Sequence, residues 1–245
     1  MTPIIEVRDL HFQYADGVKA LDGVSFSLNA GESVALFGAN GSGKTTFALQ
    51  LNGILRGQGD ITVCGLPLTK DNLAEVRSKI GMVFQDSDEQ LFMPTVLEDV
   101  AFGPLNQGLQ PEEAAERARA ALAQVGMEHA LARAPYHLSA GEKRKVALAG
   151  VLAMQPEILV LDEPTTFLDP PAQRNLLHLL RELPQAKIIV THNAMFAAGI
   201  AQRAVFFERG KLVADGPIED IVQRFDWTYS GLPLSDLRYS AQRRF

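Results

Sequence analysis

The sequence predicts an α/β fold, with a mostly parallel core sheet, an antiparallel β part and an inserted helical part. Three observations carry this. Val34-Ala35-Leu36-Phe37, Ile158-Leu159-Val160-Leu161, Lys187-Ile188-Ile189-Val190 and Ala204-Val205-Phe206-Phe207 are short apolar runs, the pattern of parallel strands covered on both faces. Val24, Phe26 and Leu28 alternate with Ser25 and Ser27, and Ile61 and Val63 flank Thr62, as antiparallel strands with one wet face do. Between about Asp86 and Gln155 the chain carries helical spacing and no core strand, although core strands lie on either side.

Taken in order, residues 1–85 are expected to form the antiparallel part and the first piece of the core. Residues 86–155 form the helical insertion, 156–224 complete the core, and 225–245 make a tail of unreadable role. Helical patterns follow Gly43, Pro111, Ser139 and Pro170. In the second of these, Ala114, Ala118, Leu122 and Val125 recur at helical spacing until Gly126, and Glu113 with Arg117 adds an i,i+4 ion pair. The helix after Ser139 carries Val146, Ala149, Leu152 and Ala153 on one side.

With 23 basic and 29 acidic residues the net charge is −6, so no global positive field draws the 245-residue chain to nucleic acid. A single cysteine, Cys64, excludes an internal disulfide framework or a cysteine metal cage and fits a reducing compartment; it reads as a small strand residue. The first residues lack a basic stretch followed by an apolar core, and the longest apolar run, Val146–Met154, falls well short of the ~18 residues of a membrane span.

Gly38-Ala39-Asn40-Gly41-Ser42-Gly43-Lys44-Thr45 fits G-x-x-x-x-G-K-[ST] directly after an apolar strand and before a helical stretch. Small residues let backbone N–H groups wrap phosphates at a helix start. Lys44 brings a point charge to the β and γ phosphates, and Thr45 a hydroxyl for Mg²⁺. Asp162-Glu163-Pro164 ends the strand Ile158–Leu161, where open α/β sheets bind ligands. There Asp162 would position magnesium and Glu163 would polarise the attacking water.

Ser139 and Glu142 make an S-x-x-E capping box before the helix. The same residues, with the N–H of Gly141 and the helix dipole, also suit a second anion site, and spacing does not choose between the two. Tyr14, Gln85, Asp169 and His192 are unremarkable singly: a polar residue at a strand end is commonly a satisfied surface group, and Tyr14 reads equally as packing.

Together, Tyr14, Gly38–Thr46, Gln85, Leu138–Glu142, Ile158–Glu163, Asp169 and His192 resemble the motif set of ATP-binding-cassette (ABC) ATPases, over about three quarters of the chain. The resemblance implies a P-loop NTPase core. It makes Tyr14 an adenine-stacking residue, Gly38, Asn40, Gly41, Ser42, Gly43, Lys44, Thr45 and Thr46 the phosphate loop, and Gln85 the Q-loop. Ser139, Ala140, Gly141 and Glu142 become the signature, Asp162 and Glu163 the Walker B pair, Asp169 the D-loop and His192 the switch histidine. It further implies catalysis by Glu163, His192, Gln85 and Lys44, with Mg²⁺ held by Thr45, Gln85 and Asp162. In such a homodimer each ATP lies between the phosphate loop of one copy and the signature of the other, which turns the capping-box alternative towards an anion site in trans.

Gln85–Phe92 and Pro94–Pro104 resemble the segment after the Q-loop in energy-coupling-factor transporter ATPases, and Glu163–Pro171 is similar to their cobalt and nickel branch. This implies a peripheral protein on the cytoplasmic face, energising cobalt import through membrane T and S subunits, with no nucleic-acid partner. Nickel, biotin or another vitamin are alternative cargoes, and a soluble non-transport cassette ATPase is the alternative class. The sequence departs from the family at Ala140, Glu142 and Asn193, and at Thr166-Phe167-Leu168-Asp169. Scattered histidines show no ligand spacing.

Overall fold

A computed structural model describes residues 3–227. The last 18 residues of the expected tail, and the first two residues of the N-terminus, lie outside the described residues. In chain order the elements are β1 Ile5–Gln13, β2 Lys19–Leu28, β3 Ser33–Phe37, α1 Lys44–Leu51, β4 Gln58–Val63, β5 Leu66–Pro67, α2 Leu73–Lys79, β6 Ile80–Val83 and α3 Val96–Asn106. There follow α4 Pro111–Gln124, α5 Ala140–Ala153, β7 Ile158–Asp162, α6 Pro170–Glu182, β8 Ala186–Val190, α7 Ala194–Ala198, β9 Arg203–Glu208, β10 Lys211–Pro217 and α8 Ile218–Arg224. The chain divides into two compact units, one built from the residues up to Arg77 together with those from Pro184 onward, the other spanning Ser78–Leu183.

The first unit holds two sheet regions. β2, β1, β4 and β5 form an antiparallel sheet in that order, and the alternation at Val24, Phe26 and Leu28 puts these three inside. β3 pairs in parallel with both β8 and β9, and β10 returns antiparallel beside β9. Four consecutive residues of β3, Val34–Phe37, are fully buried, as a strand covered on both faces requires. Cys64 is not in a strand. It shares the two-residue turn between β4 and β5 with Gly65, and positive φ at both positions (49° and 80°) is the condition for a tight hairpin turn. Phe206, Phe37, Ile218 and Ile221 form a core against which Phe225 and Trp227 pack. The rings of Phe206 and Phe225 stack at 3.8 Å, so the expected tail begins as part of this core rather than as a free end.

The second unit holds the helices of the expected insertion at 86–155 together with two strands of the expected core, β6 and β7. β6 and β7 pair in parallel in the register Ile80–Ile158 to Val83–Leu161, and α5 packs against β6. α3, α4 and α5 pack on one another. The spacing expected in α4 is realised: Ala114, Ala118, Leu122 and Val125 are buried, Gly126 ends the helix at φ 69°, and Arg117 reaches Glu113 at 3.2 Å. Val146, Ala149, Leu152 and Ala153 bury the inner side of α5.

Candidate nucleotide-binding site

The first unit carries a strand, loop and helix shaped for phosphate. Gly38 leaves β3 at φ 140°, and a Cβ there would meet Phe207 O at 2.2 Å and Ser42 Oγ at 2.7 Å, so only glycine fits. Gly43 caps α1 at φ 106°, where a Cβ would strike Ala20 O at 2.5 Å. The helix start has no side-chain cap and no acidic residue in its first turn, leaving its N–H groups and positive end for an anion. Lys44 lies buried across the loop, its Nζ donating to Gly38 O at 2.7 Å and Ala39 O at 3.0 Å. Asn40, Gly41 and Thr45 are exposed, whereas Ser42 and Thr46 are buried.

Two neighbours steady this loop. Gly210, in the turn between β9 and β10, donates its N–H to Ser42 O at 3.0 Å and accepts from Asp22 N at 2.9 Å. The Tyr14 hydroxyl lies 2.9 Å from Thr46 Oγ1, and its ring meets Phe12 edge-on at 4.9 Å. Tyr14 is thus tied to the start of α1 and keeps its ring partly exposed. His192 follows β8, half-buried, and its imidazole is held below the ordinary histidine value by burial and next by the Lys44 ammonium. Asn193 accepts from Phe196 N at 3.0 Å and caps α7, which accounts for an asparagine in that place.

In the second unit Asp162 ends β7 and Glu163 follows it, both carboxylates in buried residues. Glu163 has φ 45°, a left-handed conformation that costs a non-glycine residue free energy and is found at functional sites. Gln85 stands past the end of β6 with an exposed side chain. Gln90 holds that segment, its Nε2 donating to Met82 O at 3.0 Å and its Oε1 accepting from Phe84 N at 2.9 Å.

The signature residues form the complete capping box: Ser139 Oγ accepts from Glu142 N at 3.3 Å, and Glu142 Oε2 accepts from Ser139 N at 2.8 Å. Ser139 Oγ also donates to Glu142 Oε2 at 2.8 Å, and Arg133 Nη1 reaches the other carboxylate oxygen at 3.1 Å. Hydrogen bonds from the Ser139 backbone, then from its hydroxyl, hold the Glu142 carboxyl below its usual range. Its charge is therefore engaged within its own helix start. Asp169 caps α6 through Ala172 N at 2.8 Å. Ser139, Gly141, Glu142, Leu168, Asp169 and Ala172 border one cleft of about 290 Å³. At Gly141 an added Cβ would meet nothing nearer than Ala172 Cβ at 3.7 Å, so packing within the unit does not demand glycine there.

The phosphate loop, Tyr14 and His192 thus lie in one unit, and the carboxylate pair, Gln85, Asp169 and the signature in the other. Arg144 and Gly210 escape sequence reading because they act through backbone groups of distant segments, and the bonds of Gln90 and Asp99 to nearby backbone follow no helix or strand period.

A profile described as ABC transporter matches residues 21–166. The chain belongs to the ABC transporter ATPase family. It is similar to the energy-coupling factor transporter ATP-binding protein EcfA of Methanothermobacter thermautotrophicus, with 47% identity over 223 residues, 88% of this chain and 72% of the relative. Among solved structures it resembles cbiO1 of Clostridium perfringens, described as part of the ABC transporter complex cbiONQ (TM-score 0.81, 35% identity, covering 92% and 94%). It also resembles a dimeric ATP-binding cassette in a post-hydrolysis state bound to ADP and Pi (TM-score 0.78, 26% identity, covering 87% and 98%). As an ABC ATPase the chain binds and hydrolyses ATP, and among its described residues no helix is long and apolar enough to cross a membrane.

The His192 shift sets a stability test. Its native value lies below the unfolded value of about 6.5, so as pH falls through and below that point the unfolded chain binds more protons and native stability drops. The melting temperature of the nucleotide-free protein should therefore fall between pH 7 and pH 5.5, and His192→Asn should fall less steeply. Equal slopes in the two proteins would remove the burial assigned to this imidazole.

Proposed function

We propose that this ABC ATPase is the motor of an energy-coupling-factor type importer, working as a homodimer on membrane T and S subunits at the cytoplasmic face of the membrane. The observation that carries the ATPase reading to a mechanism is the pinned Lys44 at an uncapped helix start. In this reading Gly38–Thr46 hold the triphosphate, Lys44 exchanging its two carbonyl partners for β and γ oxygens, while Tyr14 stacks on the adenine. Glu163 orients and deprotonates the attacking water, and His192 and Gln85 contact the γ-phosphate and that water. Thr45 hydroxyl, Gln85 amide and Asp162 carboxylate are hard oxygen donors, a set that fits Mg²⁺, which would neutralise charge developing on the phosphates.

Ser139, Ala140 and Gly141 serve the nucleotide of the second copy, with Asp169 bordering the same cleft. What supports this is that Gly141 lacks a steric reason to be glycine, together with the dimeric cassette among the structural relatives. Cobalt is the cargo we favour, on the likeness of Glu163–Pro171 to the cobalt and nickel branch and on the resemblance to cbiO1. Nickel, biotin and another vitamin would be separated from cobalt by uptake of each labelled solute into vesicles holding the whole transporter.

Gln85–Gly103 is the proposed docking segment for the membrane partner. Leu91 is half-buried, but Phe92 is 61% exposed and meets the partly exposed Phe102 edge-on at 5.0 Å. Asp99 Oδ1 accepts from Phe92 N and Met93 N at 3.0 Å each, presenting that turn outward, while Thr95 caps α3. Asp86, Asp88 and Glu89 are exposed and belong to the same proposed surface. Asp86 accepts from Asp88 N, and Asp88 pairs with Lys143 at 2.6 Å, because α5 lies against this short turn.

Three outcomes test these readings. Glu163→Gln should retain ATP binding while turnover falls about 10²-fold or more, the scale of a lost general base; near-normal turnover moves the base elsewhere. Ser139→Asn keeps both capping bonds, since its side-chain oxygen accepts from Glu142 N and the bond from the backbone N–H of residue 139 to Glu142 is untouched. It should melt within about 2 °C of the parent, yet lose turnover, and mixing it with Lys44→Ala chains should restore one working site per heterodimer. A mixture no more active than its parents contradicts the arrangement in trans. Phe92→Ser with Phe102→Ser should leave soluble ATPase activity near normal and weaken assembly with the membrane subunits; intact assembly would sink the docking proposal.

A further inference from the structure

Two consecutive residues of α5 grip the segment that carries Gln85. Arg144 Nη1 donates to Phe84 O, its Nη2 donates to Gln85 O at 2.6 Å, and Lys143 Nζ pairs with Asp88 at 2.6 Å. Arg144 is only 4% exposed. Its two direct acceptors are neutral carbonyls, its Nε is buried without an acceptor, and its nearest acidic groups, Asp86 and Asp162, act on it only at a distance.

Such an arrangement is a poor way to gain stability. A guanidinium removed from water without a carboxylate in contact, and with one donor unmet, is costly to bury, and an apolar side chain would fill the space at lower cost. What the guanidinium supplies is geometry, since a rigid planar fork holds two successive carbonyls in set directions, whereas an ammonium holds them through one rotatable centre and an apolar chain not at all. The main chain at Gln85 is thereby held while its side chain stays exposed.

We infer that Arg144 is a positioning residue that fixes Gln85 to the helix beginning at Ser139, so that the Q-loop and the signature move as one body. This rests on the reading of Gln85 and Ser139 given above and extends it. Gln85 serves the nucleotide of its own copy and Ser139 that of the other, so a joint between them ties γ-phosphate contact at one site to signature placement at the second. Lys143 and Asp88 brace the same joint from the exposed side.

The test compares Arg144→Met, Arg144→Lys, Gln85→Ala and the double variant Arg144→Met with Gln85→Ala. In the nucleotide-free protein, amide exchange over residues 85–90 should quicken about tenfold in Arg144→Met, with α4 unchanged, and Arg144→Lys should recover part of the protection. In steady-state hydrolysis kcat should fall about tenfold or more in Arg144→Met while KM for ATP moves less than about twofold, because the residues holding the nucleotide are untouched. The double variant should be no slower than Gln85→Ala alone, as expected when one residue acts through the other. Full additivity would overturn the inference, as would unchanged exchange over 85–90 in both Arg144 variants. If Arg144→Met does not fold, Arg144→Lys decides by the same exchange reading. If Gln85→Ala turns over normally, the role given to Gln85 fails, and exchange alone then judges whether Arg144 holds the segment.

Discussion

The ammonium of Lys44 lying across the carbonyl oxygens of Gly38 and Ala39 is the contact around which the first unit is organised. A buried cation needs acceptors, and the carbonyls of Gly38 and Ala39 are two of those that Lys44 meets. That demand sets the loop's tight path, and the path explains its glycines: β9 passes so close that a side chain at Gly38 would enter Phe207 O. The turn at Gly210 then closes the loop from outside through Ser42 and Asp22. Strand pairing, glycine placement and hairpin geometry therefore all bear on whether one ammonium is poised for phosphate.

In the second unit the acidic signature residue raises a different problem, since a carboxylate beside an anion site repels its ligand. The structure resolves this locally. Glu142 receives the Ser139 N–H and hydroxyl and the Arg133 guanidinium, so its charge is compensated within the helix start. The same contacts mean that the Ser139 hydroxyl must leave Glu142 to donate elsewhere. The capping and anion-binding readings of this motif are thus not exclusive; the first sets the resting arrangement from which the second would proceed.

The helical unit shows how a family motif becomes a mechanical part. Gln90 and Arg144 hold the backbone of residues 82–85 from two sides, Asp99 holds the turn at Phe92 and Met93, and Lys143 ties Asp88 to α5. Arg144 and Lys143 reach partners more than 50 residues away, and Gln90 and Asp99 bond to backbone groups six to eight residues away that no side-chain motif records. Their common role is to leave Gln85 and Phe92 exposed on a backbone that is otherwise fixed.

Much was legible without coordinates where local physics decides. The apolar runs marked β3, β7, β8 and β9, alternation marked β2 and β4, and the capping pair Ser139 and Glu142 formed as spacing required. The phosphate loop was legible because its glycines and Lys44 are contiguous, so one strand, one turn and one helix suffice to build it. Cys64 went astray because its neighbours alternate as a strand does, while the turn it occupies is set by the pairing of β4 with β5. That β6 pairs with β7 was not legible, because its hydrogen bonds join segments some 80 residues apart. Residue type and spacing determined which groups could meet a nucleotide. Only tertiary structure decided that Glu142 pairs with Arg133, that Asp88 pairs with Lys143 and that a buried Arg144 binds the Gln85 carbonyl, because each depends on burial and on partners brought close by packing rather than by sequence.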